Sequence, residues 1–463
     1  MDVRSAERTV FSRKGLGYVL VQLAAKAFGL ANIFAIATVS DSADTLGRYA
    51  GSALLAAAVT LIADGGSSAA TLRSSAFAQG YSRLAGPTRS RLTLLTCLVV
   101  PLVLASFGGS SAVSTPLSAL ALGLIMSINA IIEAYFLGAE RFFLASIPNL
   151  LFNSCITGLL VCLLLEDYGL GVVGLLRVTM AGASVASVAG ALALCFAVRR
   201  SDETVLYETK VAARAATASV AMFLATQADL AVLAIWSTSA ALGTYSFAMR
   251  VAGAAASVPQ LFVASRQSAL ARVLTEGSAY RAMRKLQVQL VAITASLSLI
   301  ISLAFLVLPA ALPSDLDGIG ELMPLMLSFL PSFGFQALAL AACRTAAGNR
   351  ISIATTAIWL TAVGALVAGS SLLGVQTIGL PLMVFLRLIV DVTCYSALSV
   401  RVLGRLRMTE LLLVPSVAIG VYLSGLSALL FPSFTVSAVS NFGLALLCIW
   451  LWARERTPPS DLA

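Results

Sequence analysis

Apolar residues run along this chain in blocks of about twenty, separated by short polar turns rich in Ser, Gly, Asp and Arg. The blocks lack the strict alternation of a half-buried strand and are too evenly apolar for the single stripe of a soluble helix. Read with turn residues and charges as punctuation, the pattern predicts fourteen membrane helices. The first six lie near 15–39, 49–71, 92–108, 116–137, 143–164 and 169–198. Six more lie near 215–236, 242–265, 286–309, 322–342, 351–373 and 378–400, and two near 411–431 and 436–452.

Composition supports an all-α polytopic fold. Hydrophobic residues make up 59% and charged residues 11% of 463 positions, where a soluble domain carries roughly 25% charged residues. A β-barrel would show apolar–polar alternation in segments of roughly ten residues. Helices satisfy their own backbone groups in lipid, so the bilayer selects them here. Histidine is absent, which removes imidazole acid–base chemistry, His metal sites and His proton relays. The seven cysteines lie in or beside apolar spans with no CxxC pair, so neither a disulfide framework nor a zinc site is expected. The first apolar block is long, contains Lys26 and lacks a small-residue cleavage site, so it is expected to be a permanent helix.

Charge orients the helices. Twenty-five of the 30 Lys and Arg residues fall on the side that also holds both termini, whereas the opposite loops carry only Arg48 among Asp41, Asp44, Glu166, Asp167, Asp315, Asp317 and Glu321. By the positive-inside rule both termini are expected in the cytoplasm. The net charge of +9 then reflects topology, and no nucleic-acid partner is expected. No loop is long enough for a soluble domain, and no Gly-rich phosphate loop is present, so no built-in ATPase is expected.

The chain also carries a repeat. "TLGRYA" (Thr45–Ala50) and "ALGTYS" (Ala241–Ser246) align at an offset of 196 residues, each opening the second helix of a six-helix block. The blocks have the same orientation, which implies a parallel repeat about an axis along the membrane normal. The expected organisation is an N-terminal lobe over 1–198, a C-terminal lobe over 199–407 and two additional helices with a tail over 408–463, with a central cavity between the lobes.

With these motifs, the "LIADGGSSAATLR" segment (Leu61–Arg73) and the "FLGAERF" turn (Phe136–Phe142), the chain resembles Wzx-type polysaccharide transporters of the multidrug/oligosaccharidyl-lipid/polysaccharide exporter superfamily. That resemblance implies two six-helix lobes facing a V-shaped cavity. It also implies a flippase that moves undecaprenyl-diphosphate-linked oligosaccharide to the outer leaflet of a bacterial inner membrane. Its partners would be the lipid-linked oligosaccharide, membrane lipids, and the polysaccharide polymerase and chain-length machinery. Fourteen helices rather than twelve also resembles the lipid II flippases of the same superfamily. A lipid II flippase or a cation-coupled multidrug exporter is therefore the alternative. No cofactor is expected.

Nine ionisable residues fall within or at the mouths of spans: Lys26, Arg48, Arg177, Arg250 and Arg387, with Asp64, Glu133, Asp229 and Asp391. Each costs roughly 2.5–3.5 kcal/mol on insertion scales, so such residues face a cavity or a partner. The five basic residues are candidates for a cationic cavity that grips a diphosphate, since guanidinium forks suit phosphate oxygens. The four carboxylates are candidates for ion coupling or ion pairing. Arg177, Arg250 and Arg387 are each expected about 12 Å below the outer surface. Lys26 is expected near the midplane with no acid within a turn. Two readings stay open for several: Arg48 and Arg177 as residues reaching to the interface, Glu133 as solvated near the inner interface, and Asp229–Arg250 and Arg387–Asp391 as ion pairs. Gln22, Asn32, Asn149, Asn153, Gln227 and Gln260 are candidate sugar ligands, and Tyr49, Tyr168, Tyr245, Trp236, Trp450 and Trp452 read as interfacial aromatics. A membrane enzyme would need catalytic equipment, a His or a large external loop, and the chain carries neither; transport is expected instead.

Overall fold

A computed structural model describes residues 13–40, 42–77, 84–108, 110–139, 141–166, 168–198, 209–264, 279–307, 318–331, 416–426 and 434–456, with isolated positions elsewhere, chiefly 383–389 and 391. The chain is an all-α polytopic membrane protein. Among the described residues no strand is present, and a lone parallel bridge joins Ser40 to Leu170. Among the described residues seven helices are long and apolar enough to cross a membrane. The expected span 351–373 lies outside the described residues apart from isolated positions, and those at 322–342, 378–400 and 411–431 are described in part.

The helices are α1 (Arg13–Val39), α2 (Ala43–Asp64), α3 (Ser67–Phe77), α4 (Gly86–Gly108), α5 (Ser111–Gly138), α6 (Phe142–Leu165), α7 (Val172–Val198), α8 (Thr209–Trp236), α9 (Ser239–Ala264), α10 (Ala279–Val307) and α11 (Ile319–Met326). Ser416–Leu426 is α12 and Phe434–Arg456 is α13. All six spans expected over 15–198 are present. The second differs at its end: the apolar pattern runs on to residue 71, but α2 stops at Asp64. Gly65 and Gly66 adopt left-handed conformations with φ of 47° and 77°, which a helix interior cannot hold. Asp64 then caps the following helix, accepting hydrogen bonds from the Gly66 and Ser68 N–H groups (3.1 and 2.9 Å) and from the Ser68 hydroxyl (2.9 Å).

The chain forms two compact units, Met1–Gly243 and Thr244–Ala463. In the first, α5 is the central helix, with 67% of its span buried against α2, α3, α4, α6 and α7. Ile128, Ile131, Ile132, Tyr135 and Phe136 form its core with Leu95, Ala145 and Leu194. Lipid tails are as apolar as these side chains, so close packing rather than exclusion of water holds such helices together. Thus Gly123 leaves room for Ala56 and Val59 of α2, and Gly182 for Phe152 and Ile156 of α6. Helix α8, which follows the first six in sequence, packs on α2 and α3: a Cβ on Gly66 would overlap the Ala212 carbonyl oxygen. For that reason the first unit extends past 198.

The repeated motif proves to be a contact. Ser42 and Thr238, 196 residues apart, each accept a hydrogen bond at the side-chain oxygen from the N–H three residues on, Thr45 and Ala241, both at 3.2 Å. The two capped turns then meet at their glycines. A Cβ on Gly47 would overlap the Ser239 carbonyl oxygen, and one on Gly243 would overlap the Ala43 carbonyl oxygen. The tyrosines that follow are buried, Tyr49 at 3% exposure and Tyr245 at 0%, which corrects their reading as interfacial aromatics. Tyr168 and Trp450 are exposed. The Tyr49 hydroxyl lies 3.0 Å from Thr179 Oγ1 of α7. Interhelical hydrogen bonds in bilayers average about 0.6 kcal/mol, so Tyr49→Phe is expected to lower stability by about that amount in a detergent unfolding titration.

In the second unit α10 packs along α13. The Asn441 amide donates to the Ser302 hydroxyl at 3.0 Å in a buried contact. Gly425 of α12 sits against the Pro324–Leu325 backbone of α11, and Tyr422 of α12 stacks near Phe385 at 5.3 Å between ring centroids. The C-terminal helices are therefore packed into this unit.

Candidate functional site

The nine membrane-embedded ionisable residues fall into distinct settings. Asp64 is the helix cap already described, and Arg91 closes over the same turn. Its Nε donates to the Ala63 carbonyl at 2.8 Å and its guanidinium NH donates to the Ser67 hydroxyl at 2.9 Å. Arg48 is exposed and pairs with Asp44 one turn earlier at 2.9 Å. Such an exposed pair contributes little to stability, and it places Arg48 at the start of α2, in keeping with its interfacial reading.

Arg177 lies five residues into α7, about 8 Å along the helix, shallower than the 12 Å expected because α7 begins at Val172. Its guanidinium donates to the Ser106 carbonyl at 3.0 Å and lies 4.6 Å from the centre of the Phe107 ring. Ser106 belongs to the last turn of α4, whose free carbonyls and dipole favour a cation. Arg387 and Asp391 pair on one helical face, Nε to Oδ1 at 3.0 Å, with Arg387 fully buried and Asp391 3% exposed. Met383, Val384 and Leu388 of the same segment are buried as well. Asp229 is fully buried in α8, and its Oδ1 accepts from the Leu230 N–H at 2.9 Å. Arg250 is half-buried in α9.

Lys26 is different. Helix α1 runs from Arg13 to Val39, and Lys26 lies thirteen residues, about 20 Å, from each of its ends, at the middle of the helix. Glu133 lies five residues before the end of α5, about 8 Å from it. Helix α5 is the fourth crossing and runs antiparallel to α1, and the charge of Lys26 is felt at Glu133. Lys26 is exposed and Glu133 half-buried. An acid does therefore accompany Lys26, on another helix where sequence spacing could not reveal it. An exposed ammonium at this depth is costly against lipid and far less so in a wet cavity.

The amides of α1 and α6 engage one another. Asn149 donates to Gln22 Oε1 at 3.1 Å, Asn32 donates to the Asn153 carbonyl at 3.0 Å, Thr157 donates to Asn32 Oδ1 at 2.6 Å, and Asn153 donates to Asn149 Oδ1 at 2.9 Å. Gln22 and Asn32 are buried. Four of the six candidate sugar ligands thus form a helix–helix ladder; Gln227 is half-buried and Gln260 exposed. Sequence reading missed Asn129 of α5, which donates to the Ala183 carbonyl at 3.2 Å and accepts from Ser187 at 2.8 Å; an Asn within an apolar span was the available signal. Among the described residues no group of three Cys, Asp or Glu side chains is placed to hold a metal ion.

No family model matches the chain, and no curated protein matches it in sequence. Its fold does match solved structures. The lipid II flippase MurJ in an inward closed conformation is similar over 95% of this chain and 99% of its own, at 12% identity and a TM-score of 0.61. A MATE in complex with MaL6 is similar over 88% of this chain and 96% of its own, at 14% identity and a TM-score of 0.52. At such identities the likeness is one of fold: this chain has the polytopic helical fold shared by the flippase MurJ and MATE.

Proposed function

We propose that the protein is a flippase that carries an undecaprenyl-diphosphate-linked oligosaccharide from the cytoplasmic to the outer leaflet of a bacterial inner membrane by alternating access. Both termini are cytoplasmic in this reading, as the distribution of Lys and Arg favours. The observation that carries it is Lys26: an exposed ammonium in the middle of the apolar helix α1, with its charge felt at Glu133, on a transporter fold. A diphosphate concentrates negative charge, and its oxygens would take Lys26 from Glu133 on loading; Glu133 released in this way is free to take up a coupling cation. Arg250 and Arg387 are further candidates for binding a diphosphate, and Asp229 and Asp391 for ion coupling or pairing. Lipid II, also a lipid-linked diphosphate, is the second reading, favoured by the similarity in fold to MurJ.

The test is transport in liposomes. Fluorescent undecaprenyl-diphosphate-linked sugar is expected to flip in the wild type and about tenfold more slowly in Lys26→Met, since one charge-assisted contact is worth roughly 1.4 kcal/mol or more. A Lys26→Met protein that flips the lipid at the wild-type rate would sink the assignment. Movement of drug cations with no lipid flipping would replace it with multidrug export.

A further inference from the structure

We propose that the amide ladder between α1 and α6 is a positioning device: Asn149, Asn153 and Thr157 fix the rotation and register of α1 so that Lys26 faces the substrate path. The inference rests on the reading of Lys26 as a headgroup ligand. Packing of apolar side chains sets a membrane helix loosely, because lipid offers equivalent contacts to any face. Directional hydrogen bonds remove that freedom. On α1 the rungs Gln22 and Asn32 bracket Lys26, one turn before it and under two turns after it. Between them, Gly29 brings the helix backbone close to α6, since a Cβ there would stand 3.1 Å from Asn153 Oδ1. Buried Ala25 and Ile36 continue the same face. A slip of one turn, 5.4 Å, would break every rung together and swing Lys26 away. The side chains that looked like sugar ligands are thus committed to one another, and their influence on transport passes through Lys26.

A double-mutant cycle decides this in the full-length protein, reconstituted in liposomes with undecaprenyl diphosphate bearing either one sugar or a full oligosaccharide. Asn32→Leu, which removes the donor to the Asn153 carbonyl and the acceptor for Thr157, is expected to slow flipping about tenfold where Lys26 is present and by no more than about twofold in a Lys26→Met background. The loss should be equal for the two substrates, and Asn32→Gln should restore part of the rate. Rates are taken per folded protein, from the thermally resistant fraction of each variant. Losses that multiply across the cycle would show that the amides act independently of Lys26 and would overturn the inference. A loss confined to the full oligosaccharide would also overturn it, by making Asn32 a sugar ligand. Full transport by Lys26→Met alone is a separate outcome: it removes the headgroup assignment and the inference with it.

Discussion

Replacing Arg387 with Met is expected to destabilise the protein by about 3–5 kcal/mol, the usual consequence of removing one partner from a buried ion pair. Arg387 is fully buried and its Nε lies 3.0 Å from Asp391 Oδ1. Losing the guanidinium leaves the buried Asp391 carboxylate without the cation that shares its helical face. The companion variant separates this cost from loss of packing. Arg387→Met with Asp391→Leu removes both charges, and it is expected to be more stable than either single variant, because well-packed apolar residues often substitute for a buried pair at little cost. Unfolding in mixed detergent micelles checks the order. A double variant as unstable as the singles would show that the pair is not the main interaction of either residue. Transport adds a second reading: a stable double variant that flips lipid normally would confine Arg387 and Asp391 to structure and remove them from the substrate path.

Gly47→Ala and Gly243→Ala are each expected to cost more than about 2 kcal/mol, towards the upper end of what overpacking does. The added Cβ meets a backbone carbonyl in both cases, Ser239 for Gly47 and Ala43 for Gly243. A side chain could rotate away, but a carbonyl in a capped first turn can move only with its helix. The pair should cost less than the sum of the singles, since one separation of α2 from the first turn of α9 relieves both clashes. Gly158→Ala provides the contrast. Nothing lies within 4 Å of its Cβ position, and alanine in a helix interior is favoured over glycine by about 0.5–1 kcal/mol, so this change should be neutral or stabilising. Equal effects at Gly47 and Gly158 in the same unfolding assay would contradict the close approach.

The spans were legible because the bilayer demands a fixed length of apolar helix, and all six over residues 15–198 appear. Their ends were less so. Hydropathy continues past Asp64, and only the paired glycines mark the stop, through a backbone conformation that composition does not record. Azimuth was less legible still. Tyr49 sits near a helix end as an interfacial aromatic would, yet it shares the inward face of Leu46 and is buried. Asn32 has the same donors and acceptors whether it meets a sugar or Asn153 and Thr157; choosing between these requires knowing which helix lies opposite. The same holds for Glu133, 107 residues from Lys26 in sequence yet reached by its charge. Along-helix pairs such as Arg387 and Asp391 were readable, because four residues of spacing already places them on one face.

The reciprocal glycine contact also bears on how the chain has changed over time. Each copy of the Leu-Gly-x-Tyr turn is the surface against which the other is fitted. A bulky substitution in one copy would be tolerated only if the opposite turn receded in the same lineage. Two such turns cannot drift apart one residue at a time, whereas a pair with no such contact described, Lys26 and Met222 at the same offset of 196, carries two different residue types. A six-residue likeness between the two blocks would then be inherited mutual constraint: the part of an old duplication that each half has prevented the other from losing.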